Sequence, residues 1–158
     1  MAGGAAPDVE QARPLLDVMG ALVVHVGALG DGQKVKIINN AVAAANAATV
    51  AQALIVASAA QVDLDAVEQV MGAGSGASAM LALKAAPMRE HDYTTLFKTA
   101  HMLKDVELCL EAAEAAGVGF PAAAAARDAL AETVAAGHGD DDFAAVLEAY
   151  EKRSGQRI

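Results

Sequence analysis

Residues 33–61 read QKVKIINNAVAAANAATVAQALIVASAAQ, a run with neither proline nor glycine. Alanine is the best helix former and no breaker interrupts it, so the run predicts one helix of roughly 28 residues. Between Lys36 and Asp63 lie 26 residues without a charge. A segment of that length could span a bilayer. Yet Asn39, Asn40, Asn46, Thr49, Gln52, Ser58 and Gln61 recur through it, and most of the rest is alanine. The pattern is that of a buried helix in a water-soluble protein, and no membrane partner is expected.

The chain around this helix has 158 residues and a formal charge of −9. It is 55% hydrophobic but only 3% aromatic, with no tryptophan. Alanine supplies most of the apolar count, so backbones must pack closely, as Ala-rich helices do. Hydrophobicity this high excludes disorder. An acidic balance argues against a nucleic-acid partner. Cys109 is the only cysteine, which excludes an intrachain disulfide framework. No signal peptide is visible, and a reducing, cytoplasmic setting is expected.

Upstream, Asp8 is placed to cap a helix carrying Ala12, Leu15, Leu16 and Met19 on one face and closed by Gly20. Ala21–Val26 is β-branched and bounded by glycines, which predicts a strand standing alone after that helix. Downstream, Asp63 should cap a short helix over residues 64–71 with Val67 and Val70 inward. A short helix from Ser78 to Lys84 should be stopped by Pro87. Longer helices are expected at about 96–116 and 122–136, and a last one at about 142–153.

The segment most informative about chemistry is Gly30-Asp-Gly-Gln-Lys-Val-Lys-Ile-Ile-Asn-Asn40. Lys36 and Asn40 stand four residues apart and share one helix face. A lysine at the rim of an apolar wall has its charged form disfavoured, which moves it toward proton transfer. Asn40 offers a donor and an acceptor to a hydroxyl or carbonyl. The plainer alternative is a solvated charge beside an ordinary polar contact. Lys34 lies about 160° around the helix from Lys36 and should face water. Read alone, Lys104-Asp105 is an exposed pair, Cys109 a small core residue and Ser78 a cap or a substrate contact. Asp140–Asp142 reads as a capping and solubility cluster. His25, His91, His101 and His138 show no ligand spacing, so no metal is expected.

Gly30, Gly32, Gln33, Lys36, Asn39 and Asn40 together form Gly-x-Gly-Gln-x-x-Lys-x-x-Asn-Asn. This resembles the catalytic motif of the β-hydroxyacid dehydrogenases, which include 3-hydroxyisobutyrate dehydrogenase, tartronate semialdehyde reductase and glyoxylate/succinic semialdehyde reductases. Met1–Gly4, Pro14–Leu16 and Met19-Gly20 look like the end of that family's nucleotide-binding domain. Phe97, Lys104-Asp105, Leu108, Glu111–Ala113 and Ala116–Val118 look like its later signature. Asp142–Val146 fits its final helix. Related 6-phosphogluconate dehydrogenases place His-Asn where this chain has Asn39-Asn40, which favours the small-acid branch. Imine reductases usually lack the lysine, which favours alcohol and carbonyl chemistry.

The resemblance implies a mainly α fold: a multi-helical bundle around one long central helix, like the C-terminal domain of 6-phosphogluconate dehydrogenase, preceded by a short α/β remnant. Residues 1–27 would be the C-terminal remnant of a Rossmann-type nucleotide-binding domain, and residues 28–158 an all-helical substrate-binding and dimerisation domain. The Gly-x-Gly-x-x-Gly fingerprint that seats a dinucleotide does not occur here. The implied function is NAD(P)-dependent interconversion of a small β-hydroxy acid and its semialdehyde or keto acid. Lys36 would be the general acid/base, with Asn40, Gly32, Phe97 and Asp105 at the substrate. Lys104 would reach the NAD or NADP, which needs the Rossmann domain, so this chain alone should be inactive. The expected partners are a small hydroxy-acid or aldehyde substrate and a second copy of the chain. The other reading is a helical oligomerisation or interaction module with vestigial catalytic residues.

Overall fold

The computed structural model describes residues 1–158. The chain is mainly α, with seven α-helices and one two-stranded sheet, as the resemblance implied. Two compact units divide it, Met1–Asn40 and Ala41–Ile158.

The first unit opens with β1 (Ala2–Gly3), α1 (Ala6–Met19) and β2 (His25–Gly27). The strands pair in parallel, with Ala2 opposite His25 and Gly3 opposite Gly27, and α1 makes the crossover that parallel strands require. The expected lone strand is thus corrected. Only its last residues are extended, and its partner is a two-residue strand too short to show periodicity. His25 Nε2 lies 2.9 Å from both Gly4 O and Gly27 O, tying the two strand ends. Asp8 is not the cap: Ala5 holds that position without a side-chain bond, and Pro7 sits in the first turn, where its lost N–H costs nothing. Leu15 and Met19 are exposed, and Val9 is the buried residue of α1.

Helix α2 (Asp31–Ala59) has 29 residues, matching the uninterrupted run. Its second half is buried through Ala41, Ala44, Ala47, Ala48, Ala51 and Leu54. Nearly half of the buried apolar residues of the protein are alanines. Small side chains let helix backbones approach, so a core poor in aromatics still closes.

The second unit continues with α3 (Leu64–Ala73), α4 (Ala79–Glu90), α5 (Thr99–Ala115), α6 (Pro121–Thr133) and α7 (Val146–Ser154). Asp63 caps α3 by accepting from Ala66 N at 3.0 Å, as expected, but Val70 faces water. Pro87 does not stop α4, which runs on to Glu90. The inner stripe Leu81, Lys84, Ala85 and Met88 continues past it, and burial of that stripe outweighs one lost backbone bond. His91 closes the helix in the left-handed conformation, φ 50°. Helix α5 begins at Thr99 rather than Leu96, because the Leu96 and Phe97 amides donate to the Asp142 carboxylate. Helix α5 packs on α6 and α6 on α7. After α6, a wide turn at Val134–His138 is kinked at Gly137, whose φ of +104° favours glycine.

Candidate functional site

In the first unit, the start of α2 forms the floor of a depression of about 480 Å³. Met1, Gly3, Leu29, Gly30, Gln33 and Lys36 are among its lining residues. The approach is built from glycine. A Cβ on Gly3 would stand 2.6 Å from Ala28 O and 2.9 Å from Gly32 N, so only glycine lets the end of β1 meet the helix start. A Cβ on Gly32 would lie 3.4 Å from Gly3 N and from Met1 O. That is ordinary contact, so Gly32 is a wall of the depression that packing alone does not require to be glycine.

Asp31 fixes the turn into α2. Its Oδ2 accepts from Ala28 N and its Oδ1 pairs with Lys34 Nζ, both at 2.8 Å. The hydrogen bond from Lys34, the Ala28 amide and the lysine charge hold the Asp31 carboxyl below its usual range. Lys34 faces water, its side chain 71% exposed. Lys36 is half-buried and lines the depression. Asn40 follows one turn later on the same helix, with its Oδ1 3.4 Å from Asn39 Nδ2. A helix N-terminus carries partial positive charge, and Lys36 adds a full one. The depression therefore suits an anionic or oxyanionic group of a small molecule.

The remaining candidates belong to the second unit. Phe97 precedes α5, half-buried, its ring edge-on to His101 and Phe143 at 6.1 and 6.3 Å. Lys104 and Asp105 stand on α5, with Nζ 3.2 Å from Oδ1. The two are not an exposed pair. The Lys104 side chain is 61% exposed, whereas Asp105 is 1% exposed, because Met102, Asp105, Val106 and Cys109 form the inward stripe of α5. Cys109 is buried and burial pushes its thiol up, which suits a core residue. Ser78 caps α4, its Oγ accepting from Leu81 N at 3.0 Å.

Two arrangements escaped the sequence reading. Asp142 caps the turn before α7, as expected, but it is no solubility residue: it forms a buried ion pair with Lys84 at 2.7 Å. The signal was available, since Lys84 stands in the apolar stripe of α4. The fold also brings His91 to Glu148 and Glu151, 57 and 60 residues away, a grouping no local spacing reveals. His91 Nε2 is 3.2 Å from each Glu151 oxygen. Tyr93 donates to Glu148 at 2.9 Å, and burial, then that carboxylate, push its hydroxyl up.

Residues 30–150 match the model of the NAD-binding domain of NADP-dependent 3-hydroxyisobutyrate dehydrogenase. The chain belongs to that family. Glyoxylate/succinic semialdehyde reductase 2 of Arabidopsis thaliana is 31% identical over 94% of this chain and 42% of its own length. The 2-hydroxy-3-oxopropionate reductase of Escherichia coli is 30% identical over 100% of this chain and 54% of its own. Among solved structures, the 3-hydroxyisobutyrate dehydrogenase of Mycobacterium tuberculosis with L-serine superposes with a TM-score of 0.85. It is 30% identical, with 94% of this chain and 53% of that one covered. The chain spans about half the length of the curated relatives it matches.

Proposed function

We propose that this chain is the helical, substrate-binding half of an NAD(P)-dependent oxidoreductase that interconverts a small β-hydroxy acid and its semialdehyde or keto acid. The observation that carries this reading is Lys36 in the depression at the positive end of α2, one turn before Asn40. Two of the relatives are named as reductases of small aldehydes, a third as a dehydrogenase, and the L-serine present with it is itself a β-hydroxy acid.

In this reading the substrate carbonyl lies against the start of α2. Lys36 gives its proton to the carbonyl oxygen during reduction and takes it from the hydroxyl during oxidation. Asn40 orients the oxygen, and Gly32 lets the substrate approach the backbone. Phe97 and Asp105 are the substrate contacts, and Lys104 the cofactor contact, that the family resemblance assigns to the second unit. NAD(P)H supplies the hydride when bound. Neither of the chain's two βα turns, Gly4–Ala5 before α1 and residues 28–30 before α2, carries the Gly-x-Gly-x-x-Gly pattern of a pyrophosphate seat. The nucleotide therefore needs a Rossmann-type domain. Residues 1–27 fit the end of one: they supply only a two-stranded parallel sheet, and Leu15 and Met19 of α1 and Leu22 and Val24 before β2 are apolar and exposed. Residues 28–158 are the substrate-binding and dimerisation domain, in a cytoplasmic homodimer or larger homo-oligomer.

A second reading, an interaction module with vestigial catalytic residues, draws on Val35, Ile38, Val42 and Val56, apolar and exposed along α2. Lys36→Ala in the two-domain protein separates the two. The enzyme reading expects kcat to fall about 10²–10⁴-fold with cofactor binding intact. An unchanged kcat removes Lys36 from the chemistry, and no activity in the unaltered two-domain protein leaves the module.

A further inference from the structure

Lys84 is 3% exposed and Asp142 2%, so the pair is held out of water. Ion pairs in that position are seldom the most stable solution, because apolar side chains of equal volume often serve as well. The charge on Asp142 has another use. Its Oδ1 accepts from Lys84 Nζ at 2.7 Å and from Ala144 N at 2.9 Å. Its Oδ2 accepts from Leu96 N at 3.1 Å and Phe97 N at 3.0 Å. An ionised carboxylate has about four acceptor sites, and here one whole oxygen serves the loop before α5.

That loop is gripped from the other side too. Phe143 N donates to Phe97 O at 3.1 Å, and Asp142 N to Tyr93 O at 3.0 Å. Lys84 Nζ also lies 4.3 Å from the centre of the Phe143 ring, the ring against which Phe97 stands edge-on. The segment so fixed presents Leu96, 76% exposed, and the half-buried Phe97, after four residues that are polar or tyrosine. Burial pushes the Asp142 carboxyl up, but Lys84 and the Ala144 and Phe97 amides outweigh it and leave it below the usual range.

We propose that Asp142, kept in place by Lys84, is a positioning residue that sets Phe97 for contact with the substrate. This rests on the reading of Phe97 as a substrate-lining residue. The test uses the two-domain protein, with glyoxylate and succinic semialdehyde as probes. An amide at 142 cannot accept from all four donors, so Asp142→Asn should raise KM about tenfold with kcat within about threefold. Lys84→Met/Asp142→Asn removes both charges, leaves no unpaired lysine in the core, keeps one acceptor oxygen and should act the same way if the single variant fails to fold. Hydrogen exchange at the Leu96 and Phe97 amides should quicken at least about tenfold while the Leu130 amide in α6 is unchanged. Adding Phe97→Leu to Asp142→Asn should raise KM no further than Phe97→Leu alone. If Phe97→Leu raises KM but releasing the loop does not, the positioning role falls and the reading of Phe97 stands. If Phe97→Leu leaves KM unchanged, that reading fails and the proposal with it.

Discussion

At the scale of single residues, the buried ion pair makes the sharpest demands. Lys84→Met leaves the Asp142 carboxylate in the core without its cation, and should cost roughly 3–5 kcal/mol. Lys84→Met/Asp142→Asn removes both charges but keeps an acceptor oxygen for the backbone amides, and should cost less, which urea unfolding of the two variants checks. Because the folded Asp142 carboxyl lies below its usual range, its contribution is present above the unfolded value and lost as pH falls through the folded one. The wild type should therefore lose stability below about pH 4, and the double variant should lose less. That Gly32 and Lys36 share one depression was legible from sequence, because they lie within one turn-and-helix segment. Lys84 with Asp142, and His91 with Glu151, were not, since 58 and 60 residues separate their members.

At the scale of elements, caps and breakers account for most boundaries. Asp63→Ala removes the bond to Ala66 N and should cost about 1 kcal/mol, visible as a lower Tm. Pro87 shows where such local rules stop, since α4 continues through it to keep Met88 in the core. The start of α5 shows the same limit, set by Asp142 rather than by any local signal. Helix α2 was legible throughout, because its signal is a long absence of breakers. What its alanines do is tertiary. Ala47 is fully buried, and Ala47→Leu should overpack its surroundings by about 1–3 kcal/mol, read as a drop in the urea midpoint.

At the scale of the molecule, family membership and exposed apolar surface together shape the functional reading. The chain matches about half of its relatives, and Leu22 and Val24, in the segment leading into β2, are exposed. The isolated chain should therefore oxidise no NADH with glyoxylate or a semialdehyde, and measurable turnover would overturn the need for a second domain. Sequence by itself determined the helical class, the long α2, the family motif and an alanine-built core. Composition and the absence of breakers are properties of the chain that any packing must respect. Tertiary structure alone decided that Ala2–Gly3 pairs with β2, that Asp105 is buried and that Asp142 holds the Leu96–Phe97 loop. Those outcomes depend on partners distant in sequence, whose approach is fixed by burial and hydrogen-bond satisfaction rather than by local spacing.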